Sequence, residues 1–408
     1  MAVIIEPGRE VPIVAETDVL VAGAGIAGIA AALAAARNGA KVTLVEKEYA
    51  LGGMATLGLI TIYLPLCDGM GNQVVYGIGE ELLRLSITHG AEADYPTPWL
   101  DGGSFEERKA CRFKVRYNAH VFAILAEKLL RECGVKILYG SYACGVSVED
   151  GRISHVIIEN KSGRCAVKVK NVVDCTGDAD ICKLAGEDTY TNPKGNGLAN
   201  WYYYHSAGEV KLNMFGLADV VPDNDGRITN PEEVEQATSI SDLRFSGVDG
   251  IELSEAIQKA HEKMFDDIMR RKKESADLVP VTVSSIPLVR MSRRLCGRYE
   301  LSEADMGREL PDSVGMTGDW CKRGPTYEIP FSALVGSKIK NLITAGRIIS
   351  TSDAVWNVTR VIPPSAVSGQ AAGTAAALFD SFDSPDITLL QKKLVEQRVK
   401  LHASQKMN

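Results

Sequence analysis

The 408-residue chain is poor in the features that mark a metalloprotein, a disulfide-built domain or a membrane protein. Its nine cysteines (Cys67, Cys111, Cys133, Cys144, Cys165, Cys175, Cys182, Cys296 and Cys321) are odd in number, and none forms C-x-x-C. That disfavours a disulfide framework, an iron–sulfur cluster and a dithiol redox pair, and leaves most of them as small buried hydrophobes. The six histidines show no H-x-x-H or H-x-x-x-H spacing, so no metal site is expected. No apolar run reaches the length that spans a bilayer, because Arg37 and Asn38 close the longest one. The opening MAVIIEPGREVPIVAE lacks a basic start followed by a long apolar core, so no signal peptide is expected and a cytoplasmic location follows by default. Positive charge is not in excess: 45 Lys and Arg against 52 Asp and Glu give −7, which argues against a nucleic-acid or anionic-membrane partner. No internal repeat or low-complexity segment is present. With 45% hydrophobic and 24% charged residues, the chain reads as an ordinary globular protein of two or three domains.

What is present is concentrated first in Asp18–Glu46, DVLVAGAGIAGIAAALAAARNGAKVTLVE. A short apolar strand leads into Gly23, Gly25 and Gly28, the spacing G-x-G-x-x-G. An Ala-rich helix to Arg37 is ended by Asn38-Gly39, and a second strand, Lys41–Glu46, closes the unit. The first glycine permits the turn, the second lets backbone approach a pyrophosphate, and the third lets helix pack on strand; the phosphates then meet the positive helix end. Glu46 stands about 20 residues after the turn, where a carboxylate can accept ribose hydroxyls.

Further along, Gly77–His89 has helical spacing, Ala91–Gly103 reads as a loop, and Asn118–Cys133 is an amphipathic helix closed by Gly134. Three strand-like runs follow, Val135–Val148, Ile153–Asn160 and Ala166–Asp174, with Asp150-Gly151 and Ser162-Gly163 at hairpin turns. The pattern changes between Glu187 and Glu328. Aromatics cluster at Trp201–His205, and a polar stretch, Pro222–Gly250, precedes a helix near Leu253–Lys273. A strand-like run Val281–Val289 then meets the basic cluster Arg290, Arg293, Arg294 and Arg298. Ile339–Ile349 reads as a buried strand, Pro363-Pro364 opens a helix Ser365–Leu378, and Asp386–Ala403 is a terminal amphipathic helix. There is no second G-x-G-x-x-G, so a built-in nicotinamide domain is not expected.

GAGIAG with Glu46, LGGMAT, VVDCTGDADICKLAG, VRMSRRLCGRYELSEADM, NLITAGRIIS and TRVIPPSAVSGQAAGTAAAL occur in an order that resembles the FAD-dependent oxidoreductases of the glutathione-reductase-like flavoproteins, in the branch with fumarate-reductase-like members. The resemblance implies an α/β fold: a Rossmann-like FAD-binding domain with a parallel sheet and an inserted antiparallel meander, plus a second α+β substrate domain. It divides the chain into residues 1–186 (FAD-binding), 187–328 (substrate or cap), 329–380 (FAD-binding, return) and 381–408 (C-terminal helix). It also implies that Gly23, Gly25, Ile26, Ala27 and Gly28 hold the FAD pyrophosphate, with Glu46 and Lys47 near the adenosine ribose. Gly53, Met54 and Ala55 would line the path to the flavin, and Ala143 and Cys144 would touch the adenine. Thr176, Gly177 and Asp178 would cross near the pyrophosphate, while Gly346, Arg347, Ile362, Ser365 and Ala366 would close around ribitol and isoalloxazine. Covalently flavinylated relatives carry a histidine near LGGMAT; none stands here, so non-covalent FAD is implied. Where many relatives read G-D this chain reads A-G-R, which makes Arg347 and Asp353 the candidates for ordering the ribitol and phosphates.

For catalysis the expectation is Arg360 first, then Arg293, with Tyr327 and His205 (and Tyr63) as proton carriers; a guanidinium can clamp a carboxylate or stabilise an enolate. Cys67 and Cys321 carry no activating pattern. The functional expectation is hydride transfer between flavin N5 and a small polar, carboxylate-bearing substrate, with an electron donor or acceptor as second partner and a homo-oligomer left open. The alternatives are a partner-dependent electron-transfer subunit, a protein whose FAD is mainly structural, and an NAD-binding module without flavin.

Overall fold

The structure, a computed structural model, describes residues 3–5, 8–89, 91–93, 95–216 and 239–407. Its centre is a seven-stranded sheet. Strand β1 (Ile13–Ala22), β2 (Val42–Val45) and β3 (Lys136–Leu138) run parallel, and β1 also runs parallel to β6 (Gly163–Asp174). The amino-terminal half of β6 continues antiparallel into β5 (Arg152–Asn160) and β4 (Tyr142–Glu149). Its last three residues pair instead with β10 (Leu342–Thr344), 170 positions on. The expected meander is therefore an outgrowth of one long strand of the parallel sheet. The run Val135–Val148 is two strands rather than one: backbone with φ +54° at Gly140 turns the chain between β3 and β4.

Alternation along β1 decides both faces. Val19 and Val21 join the core that holds helix α1 (Ile26–Arg37) and helix α6 (Ile362–Leu378). Leu20 and Ala22 face a second core with Val156, Val172, Leu342 and Ile348. Helix α1 is buried from Ile26 to Ala35, between sheet and α6. The two helices cross with backbone against backbone: a Cβ built on Gly369 or Gly373 would lie 2.3 Å from the Ala27 oxygen or 2.1 Å from the Ala31 oxygen. This explains why both helices are built from alanine and glycine. Helices α2 (Gly77–Ile87) and α3 (Ala119–Glu132) cover the same side; the Asn118 carboxamide caps α3 by accepting from the His120 and Val121 N–H groups. Pro363 and Pro364 occupy the first turn of α6, where a missing N–H costs nothing.

A second layer lies over the sheet's carboxyl end. Strands β7 (Tyr202–Ser206), β8 (Glu209–Asn213) and β9 (Val279–Val283) form an antiparallel sheet in the order β8-β7-β9. Helix α4 (Gly250–Glu274) packs on Tyr202 through Met264 and Ile268. The buried Asp267 of α4 accepts from the Tyr202 hydroxyl (2.6 Å), the Asn213 amide (2.8 Å), Arg270 (2.6 Å) and Arg271 (2.9 Å), so its charge is fully matched. Trp201 and Tyr203 pack the other way, onto Leu59, Ile60 and Ile62. The strand expected at Val281–Val289 ends at Val283, and that at Ile339–Ile349 is confined to β10. The loop expected at Ala91–Gly103 contains a strand, Ala91–Ala93, and a helical turn, Thr97–Leu100. The terminal helix is Ile387–Glu396. Most of Pro222–Gly250 lies outside the described residues.

Candidate active site

The sheet's carboxyl ends open into a cleft of about 770 Å³ between the two layers. Its floor is the glycine turn. Gly23 has φ +92°, and a side chain there would strike the Cys175 carbonyl; one on Gly28 would strike the Gly23 oxygen. Around Gly25 the opposite holds: a Cβ would meet nothing within 4 Å, so the backbone borders open space. Glu46, 6% exposed, accepts the Ala24 N–H at 2.6 Å and the Glu48 N–H at 2.9 Å. Burial pushes its carboxyl above the usual range, against the pull of those two N–H donors.

The facing wall is the turn after β6. Buried Asp174 accepts from the Thr176 N–H (3.0 Å) and hydroxyl (2.7 Å) and from the Cys182 N–H (3.0 Å), which fixes the turn leading into the short helix Asp180–Ala185. Arg347 clasps this turn to the second layer. It donates to the Gly177 carbonyl, to the Val289 carbonyl (2.6 Å) and to Asp178 (2.6 Å), while its own carbonyl accepts from the Trp356 indole (2.5 Å). Asp180 is pushed up to about 6 by burial and by the neighbouring carboxylates of Asp178 and Asp174, with Arg293 opposing.

The far end has a different character. It is formed by Ile60, Ile62 and Leu64, by Lys114 and Arg116 on the paired strand Val115–Tyr117 and its approach, and by Trp201, Met214, Arg290, Trp320 and Arg360. Alternation places Tyr63, Val115 and Tyr117 in the core and turns Ile62, Lys114 and Arg116 to the cleft. Arg112 ties this ribbon to the loop bearing Trp320 by donating to the Asp319 carbonyl (2.5 Å). The Arg290 guanidinium stands 5.4 Å from the Trp201 ring. The first turn of α6, through Ile362 and Ser365, also opens here.

Of the residues anticipated for cofactor binding, all but Gly28, Cys144 and Ala366 line the cleft. Those three are turned away: Gly28 packs on the turn, the Cys144 thiol points at the Ile157 carbonyl, and Ala366 is in the core. Asp353 does not line it either; its carboxylate receives the Tyr190 hydroxyl at 3.4 Å. Among the catalytic candidates only Arg360 borders the cleft. Arg293 is engaged with Asp180 (2.7 Å) and the Asp178 carbonyl (2.8 Å). Tyr327 is buried among Leu301, Leu310, Val355 and Val358, and His205 is exposed on β7. Tyr63 is a core residue donating to the Gly79 carbonyl (2.6 Å). The arginine cluster disperses. Strand alternation sends Arg293 to Asp180 and Arg294 to Tyr190 and Trp356, with ring centroids at 4.4 and 5.3 Å, and Arg298 binds the carbonyls of Gly336 and Phe382. Lys114, Arg116, Trp201 and Trp320 were not singled out as site residues; the alternating F-K-V-R-Y was the available signal for the first two. Outside the cleft, Glu309, Glu328 and His402 come together, with the His402 Nδ1 3.0 Å from both Glu328 oxygens, an arrangement that fastens the C-terminal segment.

A parallel sheet with a glycine turn, two helix amino-termini and a long cleft at its carboxyl end defines a protein that binds an elongated nucleotide cofactor. Residues 18–277 and 227–384 match the model of the FAD dependent oxidoreductase family, and the chain belongs to that family. FAD is its cofactor, and the open space at Gly25, the Glu46 carboxylate and the two helix ends suit it. A thioredoxin reductase of Ureaplasma parvum serovar 3 is 35% identical over 71 residues, 17% of this chain and 23% of that protein's length. Among solved structures, a geranylgeranyl bacteriochlorophyll reductase-like protein from Thermoplasma acidophilum aligns over 94% of this chain and 84% of its own, at 15% identity and TM-score 0.41. The aromatic hydroxylase CabE from angucycline biosynthesis aligns over 93% and 65%, at 14% identity and TM-score 0.44.

Proposed function

We propose that the chain binds FAD non-covalently along the cleft and moves a hydride between the flavin and a small substrate bearing an anionic group, held at the far end. The observation that carries this reading is the continuity of one cleft from the glycine turn to a chamber bordered by Lys114, Arg116, Arg290 and Arg360. In this reading Gly23, Gly25, Ile26, Ala27 and the Thr176–Asp178 turn hold the pyrophosphate, and Glu46 and Lys47 the adenosine end. Gly53–Ala55 and Gly346–Arg347 enclose the remainder, and residues 187–328 form the substrate layer. When bound, FAD supplies the electron transfer itself. The first turn of α6 favours negative charge in front of it, by about 0.3–2 kcal/mol. Arg347 acts as the clasp between the walls, since its donors are given to Gly177, Val289 and Asp178.

The carboxylates that line the cleft, Glu46, Glu48, Asp178 and Asp180, stand at the end of β2 and on the turn after β6. Among the described residues that border the cleft at the far end, the charged side chains are lysine and arginine. Cations there stabilise a developing oxyanion and can deliver a proton, which favours reduction of an activated double bond over C–H oxidation. An anaerobic screen of the purified yellow protein tests the reading: small carboxylic acids or their unsaturated counterparts should bleach or reoxidise the flavin at millisecond-to-second rates. Protein that stays colourless after incubation with FAD would sink it. Flavin that exchanges electrons with protein partners alone would favour the electron-transfer subunit.

A further inference from the structure

The cations at the far end of the cleft are not equivalent. Arg290 stands 5.4 Å from the centre of the Trp201 ring. Arg360 gives its Nη2 to the side-chain oxygen of Asn357, in helix α5 (Asp353–Thr359), at 2.6 Å. The backbone oxygen of the same Asn357 accepts the Trp320 indole N–H at 2.8 Å. Lys114 is likewise engaged within the protein. Arg116 differs: its guanidinium has no hydrogen bond, ion pair or ring contact with any described residue, and it is exposed at the cleft. Its backbone is nevertheless fixed from both sides, because it lies in the middle strand of a three-stranded ribbon, paired with Ile62 on one side and Ala93 on the other. Side chains paired across antiparallel strands share a face, with Cβ atoms about 5 Å apart, so Ile62 adjoins the stem of Arg116. Ile60 and Leu64, two positions to either side of Ile62, line the cleft as well.

From this pairing we infer that the substrate is a monocarboxylic acid with an apolar carbon skeleton, its carboxylate taken by Arg116 and its skeleton laid along Ile62. The inference rests on the reading of the cleft as flavin site plus substrate chamber, and narrows it. A dicarboxylate would bring a second charge to a surface whose other cations are already engaged. A phosphate monoester carries a charge of about −1.5 to −2, more than one guanidinium matches. A hydroxy acid or sugar acid would set its hydroxyls against Ile62, one strand spacing from the bound anion. A monocarboxylate puts one charge on one guanidinium and offers apolar area to the adjoining isoleucine. Arg–carboxylate pairing is planar and bidentate, so it also distinguishes the acid from the amide of the same shape.

The test uses the FAD-loaded full-length protein, titrated with hexanoate, trans-2-hexenoate, hexanamide, succinate and acetate while flavin absorbance is followed. Flavin content is measured first: protein without FAD speaks against the functional reading, and FAD-loaded protein that ignores both six-carbon acids overturns this inference alone. The expected result is saturable perturbation by hexanoate and trans-2-hexenoate, with hexanamide, succinate and acetate each weaker by about tenfold or more. Arg116→Gln should retain FAD and thermal stability and reduce the hexanoate-to-hexanamide preference about tenfold, and Arg116→Lys should restore part of it. Ile62→Ser should leave that ratio in place and reduce the hexanoate-to-acetate preference about fivefold. A purely structural Arg116 would lower the melting temperature when replaced and leave the acid-to-amide ratio unchanged, which overturns its assigned role. An unchanged hexanoate-to-acetate ratio in Ile62→Ser overturns the placement of the skeleton. Hexanamide or succinate binding as tightly as hexanoate in the unmodified protein overturns the substrate class.

Discussion

Gly369→Ala should damage the cofactor site from behind, since Gly369 does not line the cleft but packs on the backbone of Ala27, which does. A Cβ at this position would lie 2.3 Å from the Ala27 oxygen, 2.9 Å from the Ala30 Cβ and 3.1 Å from the Ala27 carbon. Because the first obstacle is backbone, no rotamer relieves it, and α1 and α6 must separate locally by about 1 Å. Overpacking of this kind costs about 1–3 kcal/mol, and contact with backbone puts it near 3. Alanine recovers about 1 kcal/mol of helix propensity, leaving a net loss of about 2 kcal/mol. For 408 residues that corresponds to a fall in Tm of about 2 °C. Ala27 sits in the first turn of α1 and borders the cleft, so FAD affinity should fall as well, by tenfold or about 1.4 kcal/mol. Gly373→Ala meets Ala31, one turn deeper, and should cost similar stability with a smaller loss of FAD. Gly250→Ala meets open space and should be neutral or slightly stabilising. Calorimetry of apo and loaded protein, with fluorescence titration of FAD, separates the two effects. Equal FAD affinity in all three variants would falsify the coupling of helix packing to cofactor binding.

Arg347→Met should remove the clasp between the turn after β6 and the second layer. The partners are 15% and 20% exposed at Arg347 and Asp178, so loss of one should cost about 3 kcal/mol, read as a lower urea midpoint; an unchanged midpoint would show the clasp to be idle. Asp180 provides a pH dependence. Its carboxyl is raised from 3.8 to about 6, so its contribution to stability is complete below pH 4 and is lost as pH rises through 6, by at most about 3 kcal/mol. Asp180→Asn should therefore compare less favourably with the parent at pH 4.5 than at pH 7.5 in chemical denaturation. A difference independent of pH would contradict the assignment of the shift to Asp180.

What was legible in the sequence was what is encoded locally. The turn from Gly23 to Gly28 declares itself because each glycine answers a contact or a backbone angle that other residues cannot meet. The helices declare themselves because apolar spacing and caps such as Asn118 lie within a few positions of one another. The far end of the cleft was not legible in this way. Arg290, Arg293, Arg294 and Arg298 are neighbours in sequence, yet strand alternation and the following loop send them to four separate surroundings. Lys114 and Arg116 carried a pattern, a charged face opposite a buried one, but nothing local says that the charged face borders a cleft. Trp320, Asn357 and Arg360 become one unit only when the loop after the strand Ser313–Gly318 is folded against α5, a tertiary event with no signature in either segment.

The crossing of α1 and α6 also sets a schedule for making the protein. The glycine turn lies at residues 23–28 and the helix that seals it begins at Ile362, so more than three hundred residues must be added between the two. At about 5–20 residues per second, the ribosome needs roughly 15–70 s to do so. Throughout that interval α1 has the sheet and helices α2 and α3 to lie on but lacks α6 on the face where backbone meets backbone, and the cofactor has half a site. A nascent chain stalled before Ile362 would therefore present α1 without its α6 cover, and complete cofactor capture has to follow the synthesis of α6.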